Sequence, residues 1–520
     1  MSGTEWSLGR LVRDNAGAFG NRVALTGESG QVSWRELDER SNRAAQALAA
    51  DGVGPGSRVA FLDKNTPEFF EVLMGAGKLG AVMVPVNWRL APPEMAHIIE
   101  DSAATVLIIG SEFSAAVKEI GPDLTQVKRT VVLGPEYEDW LAAQPATDPG
   151  YRSKPDDVAI QLYTSGTTGL PKGAMLVNAN FGTILDQVVG PWRLDPTSVS
   201  AVAMPLFHIG GSGWALAGMT VGARSVVIRE MVPAELIRVF ETEKVTNAFL
   251  VPAVLQMVCA TEGVEKADFA ALRAIKYGAS PITDEALRRA IATFGCEFIQ
   301  LYGLTETTGA ITQLDAADHD PGGPRSRLLR SVGKPYPWVE IRLVDPDTGE
   351  ERAAGEVGEL WARGPQTMKA YWNKPEDTAR VIDAEGWFRT GDAGYRDAEG
   401  YIFLTDRIKD MIVSGGENIY PAEVENALAS HPAVGDVAVI GVPDERWGET
   451  PKAMVVLRPG AEGGPEQARS IIDFARERLA HYKCPTSVDF IEMLPRNPSG
   501  KVLKRELREP YWEGRARRVN

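Results

Sequence analysis

The first third of the chain alternates helical and strand-like patterns of apolar residues. Ser33, followed by Glu36, has the pattern of a capping box that opens an Ala/Leu-rich helix ending at Gly52. Three short apolar runs are predicted strands: SRVAFLD, AVMVPV and ATVLIIG. The segments between them have helical spacing: TPEFFEVLMGAGKLG and APPEMAHIIEDS. Strands that alternate with helices predict parallel sheets covered by helices on both faces.

The pattern changes in the second half of the chain. The alternation resumes at VTNAFLVP and a helix near Thr283, but past residue 350 short strands separated by turn residues predict an antiparallel subdomain: GEVGELWARG, GWFRTGD and GYIFLTDR. A compact α+β segment follows, with predicted helices PAEVENALASHP and EQARSIIDFARERLAHY around strands VGDVAVIGV and KAMVVLRPG. The predicted fold class is therefore α/β, with a large N-terminal domain of α/β subdomains, a small antiparallel β subdomain and a small α+β C-terminal domain. The boundary is expected between Asp406 and Asp410, which gives domains 1–408 and 409–520.

Composition narrows the function classes. The chain has 520 residues, of which 44% are hydrophobic and 24% charged, which is typical of globular proteins. Its formal net charge of −15 disfavours a nucleic-acid partner, because phosphate backbones are bound by clusters of Lys and Arg. Three separated cysteines, without paired spacing, indicate neither a zinc site nor a disulfide framework. The sequence has no apolar stretch long enough to span a bilayer and no export signal, so we expect a cytoplasmic protein. Transient contact with a membrane surface is consistent with this expectation.

The densest chemical signal is the segment from Tyr163 to Gly173, which follows the apolar run VAIQLY. Four hydroxyl side chains, three glycines and one lysine, Lys172, occupy ten positions between Thr164 and Gly173. Glycines let backbone N–H groups approach phosphate oxygens, hydroxyls add donors, and a lysine adds positive charge. The order Gly-Lys-Ser/Thr of the common nucleotide loop is missing, and Pro171 precedes the lysine. The segment therefore predicts a triphosphate site of another type.

The string TSGTTGLPKG resembles the signature loop of the adenylate-forming superfamily, which includes acyl- and aryl-CoA synthetases, firefly luciferase and peptide-synthetase adenylation domains. Further matching motifs follow in the family's order: PLFH, YGLTE, GELWARG, GWFRTGD, DRIKDMI, SGGENIYP and PRNPSGK. The resemblance implies an ATP-dependent acid–thiol ligase of the acyl-CoA synthetase type. Such an enzyme forms an acyl adenylate and pyrophosphate, and then passes the acyl group to coenzyme A.

The resemblance also implies roles for residues of the nucleotide site. Thr164 and Glu306 are expected near a Mg²⁺ ion that bridges phosphates, a task suited to hard oxygen ligands. Thr305 is expected at the α-phosphate, and Tyr302 against the adenine face. Asp392 and Arg407 are expected at the ribose. The loop itself is expected to bind phosphate through Ser165, Gly166, Thr167, Thr168, Gly169 and Lys172.

A rotating C-terminal domain is implied as well. Lys501, in PRNPSGK, corresponds to the family lysine that stabilises the transition state of adenylation. Lys409 corresponds to the pivot of a domain rotation between the two half-reactions. Gly415 and Gly416 are expected beside the pantetheine arm of CoA, and Trp447 resembles an aromatic residue that lines the same channel, although a packing role is nearly as well supported.

The sequence does not specify which carboxylic acid is the substrate. The segment from His208 to Trp214 resembles the family's acyl pocket and has no acidic residue to pair with an α-ammonium group, which favours apolar acids over amino acids. A fatty acid of medium or longer chain is the first choice, and an aryl or cyclic acid is a close second. Because no carrier-protein segment follows the C-terminal domain, the expected acyl acceptor is free CoA, and a separate carrier protein is the alternative. A homodimer is compatible with the sequence. The pocket residues expected from the resemblance are His208, Gly210, Trp214, Gly278, Ala279, Ser280 and Gly303.

Two non-ligase alternatives remain at this point. A regulatory nucleotide-binding protein would be expected to lack Lys501, Glu306, Asp392 or Arg407, all of which are present. A kinase would release ADP, whereas adenylation releases AMP and pyrophosphate.

Overall fold

The computed structural model describes residues 6–164, 171–280, 282–346, 348–407, 410–414, 417–444, 446–496 and 502–513. Its helices are α1 (Leu8–Phe19), α2 (Trp34–Ala50), α3 (Pro67–Leu79), α4 (Pro92–Asp101), α5 (Ser114–Ile120), α6 (Pro135–Ala142), α7 (Asn178–Val188), α8 (Ile209–Thr220), α9 (Pro233–Thr242), α10 (Pro252–Cys259), α11 (Asp284–Phe294), α12 (Pro375–Val381), α13 (Pro421–Ala429), α14 (Pro465–Arg476) and α15 (Lys504–Trp512).

The strands fall into four sheets. They are β1 (Val23–Gly27), β2 (Gly30–Ser33), β3 (Arg58–Leu62), β4 (Val82–Pro85), β5 (Ala104–Ile109), β6 (Arg129–Val132), β7 (Val158–Thr164), β8 (Lys172–Val177), β9 (Val199–Val202), β10 (Arg224–Val227), β11 (Asn247–Leu250), β12 (Ala274–Gly278), β13 (Glu297–Leu304), β14 (Gly309–Leu314), β15 (Lys334–Pro335), β16 (Glu340–Val344), β17 (Gly358–Arg363), β18 (Ala370–Tyr371), β19 (Phe388–Arg396), β20 (Ile402–Arg407), β21 (Ile412–Ser414), β22 (Glu417–Ile419), β23 (Val434–Asp444), β24 (Gly448–Leu457) and β25 (Ser487–Phe490).

Two largely parallel sheets form the N-terminal part. One has the strand order β18-β8-β7-β4-β3-β5-β6, and the other has the order β15-β14-β13-β12-β11-β9-β10-β1-β2. Helix α3 contacts β4 of the first sheet and β1 of the second, so it lies between them. Its sequence, PEFFEVLMGAGKL, is apolar on nearly every side, and a helix of that kind is stable only when it is enclosed. The helix joins the two sheets into one hydrophobic core.

The remaining sheets are antiparallel or mixed. Strands β16, β17, β19 and β20 pair antiparallel in that order, as the turn-rich sequence past residue 350 predicts. The C-terminal sheet has the order β22-β21-β24-β23, and β25 pairs parallel with β24. Its own core is formed by residues such as Ile412, Val439 and Ile471. The predicted α/β architecture is confirmed, and the division at residues 408 and 409 stays a prediction.

Local expectations are met with one correction. The capping box is present, because the Ser33 N–H donates to Glu36 Oε2 at 2.8 Å and the Glu36 N–H donates to Ser33 Oγ at 3.2 Å. The helix predicted to reach Tyr482 instead ends at Arg476, and Leu479 beyond it packs on the C-terminal core. Among the described residues, no helix combines the length and the apolarity needed to cross a bilayer.

Candidate active site

A β-hairpin closes the loop that the sequence predicts to bind phosphate, called the phosphate loop below. Thr164 ends β7 and Lys172 begins β8, and the two residues are direct partners in the antiparallel ladder. The hairpin therefore holds both ends of the loop close together. The loop residues predicted to bind phosphate lie outside the described part of the chain: Ser165, Gly166, Thr167, Thr168 and Gly169.

Glu306 lies beside the start of this loop. It belongs to a short 3₁₀ turn, Thr305–Thr307, directly after β13, and only 8% of its surface is exposed. Its Oε1 accepts hydrogen bonds from Thr164 Oγ1 at 3.3 Å and from Tyr371 Oη at 2.7 Å. The structure thus brings Thr164, Thr305 and Glu306 together as the sequence predicts, and it adds Tyr371.

Tyr371 is a residue that sequence reasoning missed. Burial, followed by the nearby Glu306 charge, raises the pKa of the Tyr371 phenol, so the hydroxyl remains a donor at physiological pH. It lies in the two-residue strand β18, which pairs with β8 on the outer edge of the first sheet. Nothing in the local sequence marks this tyrosine, because only the sheet pairing brings it to Glu306.

Lys172 has an acidic partner. Its Nζ lies 3.0 Å from Asp377 Oδ1 and 5.6 Å from the centre of the Tyr371 ring. The hydrogen bond from Lys172 lowers the pKa of Asp377. The ion pair holds the lysine next to the loop, and Asp377 is a second residue absent from the sequence-based set.

The expected nucleoside residues are also adjacent. Tyr302 Oη donates to Asp392 Oδ2 at 2.8 Å, and both side chains are buried. In the β19–β20 ladder, Asp392 is the direct partner of Arg407, so the backbones of these residues are neighbours. Three residues from distant parts of the sequence therefore meet at one edge of the site.

A cavity of about 440 Å³ adjoins this centre. Its lining includes Tyr163, Pro171, His208 and two residues of the C-terminal part, Arg496 and Leu503. Burial, followed by the charge of Arg89, lowers the pKa of His208 to about 4, and the buried Nε2 has no hydrogen-bond partner among the described residues. His208 is therefore a neutral imidazole facing a space large enough for a small ligand.

The glycines of the predicted acyl pocket are required by close packing. A Cβ on Gly210 would lie 3.0 Å from the Phe249 ring, one on Gly278 would lie 2.0 Å from the Leu301 carbonyl oxygen, and one on Gly303 would lie 1.9 Å from the Gly309 carbonyl oxygen. Ala279, beside Ser280, has a positive φ of 67°. These positions form a tightly packed wall.

Trp214 is fixed within the same region. Its indole N–H donates to the Ala201 carbonyl oxygen at 3.0 Å, and its ring lies 6.0 Å from that of Trp192. The indole of this α8 residue is thus anchored to β9 in the core. Because it is held on two sides, Trp214 presents a rigid surface.

Several predicted residues of the C-terminal domain cannot be placed. Lys409, Gly415, Gly416 and Lys501 lie outside the described residues, and so does the side chain of Arg407. Trp447 is described and is 46% exposed, with the Arg446 guanidinium 4.4 Å from its ring centre. Its proposed place in a CoA channel stays a prediction.

Comparison with known proteins agrees with this geometry. Residues 12–372 match the model of the AMP-binding enzyme family, and residues 423–501 match the model of the AMP-binding enzyme C-terminal domain. The chain belongs to the AMP-binding enzyme family. As a member of this adenylate-forming superfamily it is an AMP-forming acid–thiol ligase, and the expectation drawn from the motifs is confirmed at that level.

Three similar proteins illustrate the range of the family. The chain is 41% identical over 504 residues, 96% of its length and 95% of the relative's, to the fatty acid–[acyl-carrier-protein] ligase ScoC of Streptomyces coeruleorubidus. It is 39% identical over 481 residues, 92% of its length and 94% of the relative's, to a feruloyl-CoA synthase of an Amycolatopsis species. The crystal structure of the anthranilate CoA ligase AuaEII with anthranoyl-AMP superposes with a TM-score of 0.91 at 28% identity, covering 98% of each chain.

The oxygen donors suit a magnesium ion shared with phosphates. Within the described ranges, no group of three or more His, Cys, Asp or Glu residues could enclose a metal by itself. Glu306 and Thr164 instead offer one carboxylate and one hydroxyl side by side. Mg²⁺ commonly takes one or two carboxylates and fills its other positions with water and substrate phosphates, so this donor set fits it.

Proposed function

We propose that the protein is an ATP-dependent carboxylate–CoA ligase. An oxygen of the acid bonds to the α-phosphorus of ATP, the α–β phosphoanhydride bond breaks, and pyrophosphate leaves. The CoA sulfur then bonds to the acyl carbon, the bond to AMP breaks, and the thiol proton passes to solvent. The observation that carries the proposal is the buried Glu306, bound to Thr164 and Tyr371 at the mouth of the phosphate loop.

The first half-reaction needs positive charge and donors around the phosphates. Glu306 and Thr164 would hold the Mg²⁺, which when bound neutralises phosphate charge. Lys172, positioned by Asp377, supplies a cation at the end of the loop, and Thr305 supplies a hydroxyl beside Glu306. Charge that develops on phosphoryl oxygens is stabilised most by donors that are fixed in advance.

The nucleoside would be bound at the other end of this centre. Asp392 can accept hydrogen bonds from ribose hydroxyls, and the hydrogen bond from Tyr302 holds its carboxylate in place. The Tyr302 ring then supplies a surface for adenine, and Arg407, whose backbone is paired with that of Asp392, is proposed to contact the same ribose. This order along the site runs from base through ribose to phosphate.

Lys501 is proposed to reach the bond that forms between the acid and the α-phosphate. Arg496 and Leu503, which lie on either side of Lys501 in the sequence, both line the cavity that contains His208. The position of these two flanking residues supports the role proposed for Lys501. That arrangement favours the adenylation step.

Thioester formation then requires Lys501 to leave. We propose that the domains 1–408 and 409–520 rotate about Lys409 and bring Gly415, Gly416 and Trp447 towards the adenylate. Rotation about a few backbone dihedrals changes which domain surface faces the site without unfolding either domain.

A carrier-protein thiol is the second candidate for the acceptor. It is favoured by the 41% identity to a relative named as a fatty acid–[acyl-carrier-protein] ligase. Both acceptors present the same type of thiol, so the adenylation chemistry is common to them. The acid is proposed to be apolar, either a fatty acid or an aryl acid.

The test is a product assay with ATP, Mg²⁺ and a panel of fatty and aryl acids. We expect AMP and pyrophosphate, and an acyl-CoA mass when CoA is present; release of ADP would exclude the proposal. Replacing CoA with a phosphopantetheinylated carrier protein distinguishes the acceptors. A chelator should stop pyrophosphate release, and added Mg²⁺ should restore it.

The variant Lys501→Ala separates the two steps. We expect it to lose adenylate formation by about 10²-fold or more while it still makes thioester from a supplied acyl adenylate, because only the first step needs its charge. Equal loss of both activities would contradict the role given to Lys501.

A further inference from the structure

A buried amide side chain is hydrogen-bonded to the turn that carries Glu306. Gln366 lies in the segment 364–369, which connects β17 to β18, and only 1% of its surface is exposed. Its Nε2 donates hydrogen bonds to the carbonyl oxygens of Thr307 at 2.9 Å and of Ala310 at 2.6 Å. Both hydrogens of the amide are therefore used on the backbone that directly follows Glu306.

The backbone held in this way is strained at one residue. Thr308 has a φ of 51°, in the left-handed region that β-branched residues rarely adopt. Its hydroxyl donates to the carbonyl oxygen of Gln366 at 2.7 Å, and the two carbonyl oxygens that Gln366 binds come before and after Thr308 in the chain. A strained conformation persists only where the surrounding contacts enforce it. Gln366 supplies three such contacts.

The Gln366 amide is itself fixed by an aromatic partner. Its Oε1 accepts a hydrogen bond from the indole N–H of Trp338 at 2.7 Å. The Trp338 ring stacks on the Tyr336 ring, with the ring centres 4.7 Å apart and the planes 4° apart. Because an indole N–H can only donate, this bond decides which end of the amide is the acceptor and leaves Nε2 directed at the turn.

Helix α7 anchors the segment that carries Gln366. Asn180, which is 4% exposed, donates from Nδ2 to the carbonyl oxygens of Pro365 at 2.8 Å and of Thr367 at 2.9 Å. The residues on both sides of Gln366 are therefore tied to a helix. The side chain of Gln366 is a rigid link from α7 to the turn.

The same part of the chain reaches Glu306 at two further points. The Met368 N–H donates to the Glu306 carbonyl oxygen at 2.7 Å, and the Tyr371 hydroxyl donates to the Glu306 carboxylate at 2.7 Å. Tyr371 thus orients the carboxylate, whereas Gln366 and Met368 hold the backbone from which it projects.

We propose that Gln366 is a positioning residue, which fixes the turn so that the Glu306 carboxylate and the Thr305 hydroxyl meet the nucleotide phosphates. Binding groups are precise only when the residues that support them are locked in turn. The inference rests on the proposed function, in which Glu306 holds the phosphate-bridging Mg²⁺. It makes Mg²⁺-dependent nucleotide binding depend on a side chain whose polar atoms are all hydrogen-bonded within the protein.

The test measures binding of α,β-methylene-ATP, an analogue that cannot release pyrophosphate. Calorimetry with Mg²⁺ and with EDTA gives two Kd values, and their ratio is the readout. We expect Mg²⁺ to tighten binding to the wild type at least about tenfold, because the cation joins the phosphates to Glu306. Gln366→Met, which keeps the length of the side chain but has no amide, should bring the ratio to within about threefold of one.

A second variant keeps the inference testable if Gln366→Met does not fold. Trp338→Phe keeps an aromatic ring beside Tyr336 but removes the indole N–H that orients the Gln366 amide. We expect it to lose part of the Mg²⁺ effect on analogue binding, with a smaller change in melting temperature than Gln366→Met.

The matched control removes a buried amide that belongs neither to the segment nor to the turn. Asn15, in α1, is 4% exposed and donates from Nδ2 to the Met219 carbonyl oxygen at 2.7 Å. Asn15→Leu should lower the melting temperature but keep the wild-type ratio of Kd values, because it does not move Glu306.

Each other outcome has a definite meaning. A wild-type ratio in Gln366→Met, or in Trp338→Phe where only that variant folds, would overturn the inference and leave the ligase function standing. An equal loss of the Mg²⁺ effect in Asn15→Leu would also overturn it, since destabilisation alone would then explain the loss. A wild type that binds no analogue under either condition would overturn the proposed function together with the inference.

Discussion

At the scale of single residues, the proposed phosphate end of the site depends on the orientation of one carboxylate. Glu306 is buried and is held by the hydroxyls of Thr164 and Tyr371. A hydrogen bond to a charged group contributes about 1.5–3 kcal/mol, which is enough to fix the direction in which the carboxylate points. The position of any phosphate-bridging cation would follow from that direction.

Tyr371→Phe tests this arrangement. Removing the hydroxyl should lower ATP–pyrophosphate exchange roughly 10- to 100-fold, because Glu306 loses its shorter hydrogen bond. The matched control is Tyr137→Phe, which removes another buried hydroxyl that donates to a glutamate, Glu71, at 2.9 Å. The control should lose stability but keep exchange per folded molecule; similar loss in both variants would contradict a specific role for Tyr371.

His208 gives a prediction about pH. Its pKa lies at about 4, below the ordinary 6.5, so the imidazole stays neutral as the pH falls through 6.5 and is protonated only near the lower value. Stability that depends on the neutral form is present above 6.5 and is lost as the pH falls towards 4. In exchange assays, the kcat/KM profile of the wild type should show no inflection near 6.5. An inflection there that disappears in His208→Asn would contradict this reading.

At the scale of elements, the turn that carries Thr305 and Glu306 is positioned by β13 and β14. The ladder shifts register between Tyr302 and Gly303, where Gly303 faces the carbonyl oxygen of Gly309. Only a glycine allows the two backbones to approach this closely. The packing of the β13–β14 hairpin therefore fixes the position of this turn relative to the phosphate loop.

Gly303→Ala should separate the two strands. Its Cβ would lie 1.9 Å from the Gly309 carbonyl oxygen, and relief of that clash should cost about 3 kcal/mol and displace Glu306. We expect a lower melting temperature by calorimetry together with reduced pyrophosphate exchange. Gly121→Ala, at a position with no atom within 4 Å of the added Cβ, is the control and should change neither. A Gly303→Ala enzyme with wild-type stability and exchange would contradict the packing argument.

Some helices and strands can be predicted from the local sequence alone, and others cannot. The capping box of α2 and the buried strand β3 follow from the sequence, because a cap is satisfied within four residues and a buried strand needs only apolar side chains. The end of α14 was predicted wrongly, since contact of Leu479 with the C-terminal core outweighs the helical spacing that continues to Tyr482. Tertiary packing decides where an amphipathic helix stops.

At the scale of the whole molecule, one site must serve two reactions. Arg496 and Leu503 of the C-terminal part line the cavity with His208, and Lys501 is proposed to reach the acid there for adenylation. In the second step, the thiol must reach the carboxyl carbon of the bound acid. The proposed rotation about Lys409 resolves this conflict.

Lys409→Pro tests the rotation. Proline fixes φ near −65° and should hinder rotation at the pivot, so thioester formation should fall by about tenfold or more while pyrophosphate release from the first step changes little. Stopped-flow measurement of each half-reaction supplies the comparison. If both rates fell equally, Lys409 would not be the pivot.

The sequence by itself, through its ordered motifs, determined the class of chemistry, that of an AMP-forming acid–thiol ligase. The roles of the loop from Thr164 to Gly173 and of Glu306, Asp392 and Lys501 stay predictions from the same motifs. These could be predicted because phosphate binding and charge stabilisation demand particular residue types in fixed local order. Local spacing likewise determined the sequence of helices and strands.

Only the tertiary structure decided which distant residues meet. Tyr371 reaches Glu306 because β18 pairs with β8, and the buried Lys276 amine lies over the Trp214 ring of α8 without a hydrogen-bond partner in the described part of the chain. The lysine within the apolar strand AIKYG was visible in the sequence, but burial and the absence of a partner were not. The physical reason is that pairing between distant strands and the solvation of a side chain depend on the whole fold, whereas a motif depends only on its neighbours in the chain.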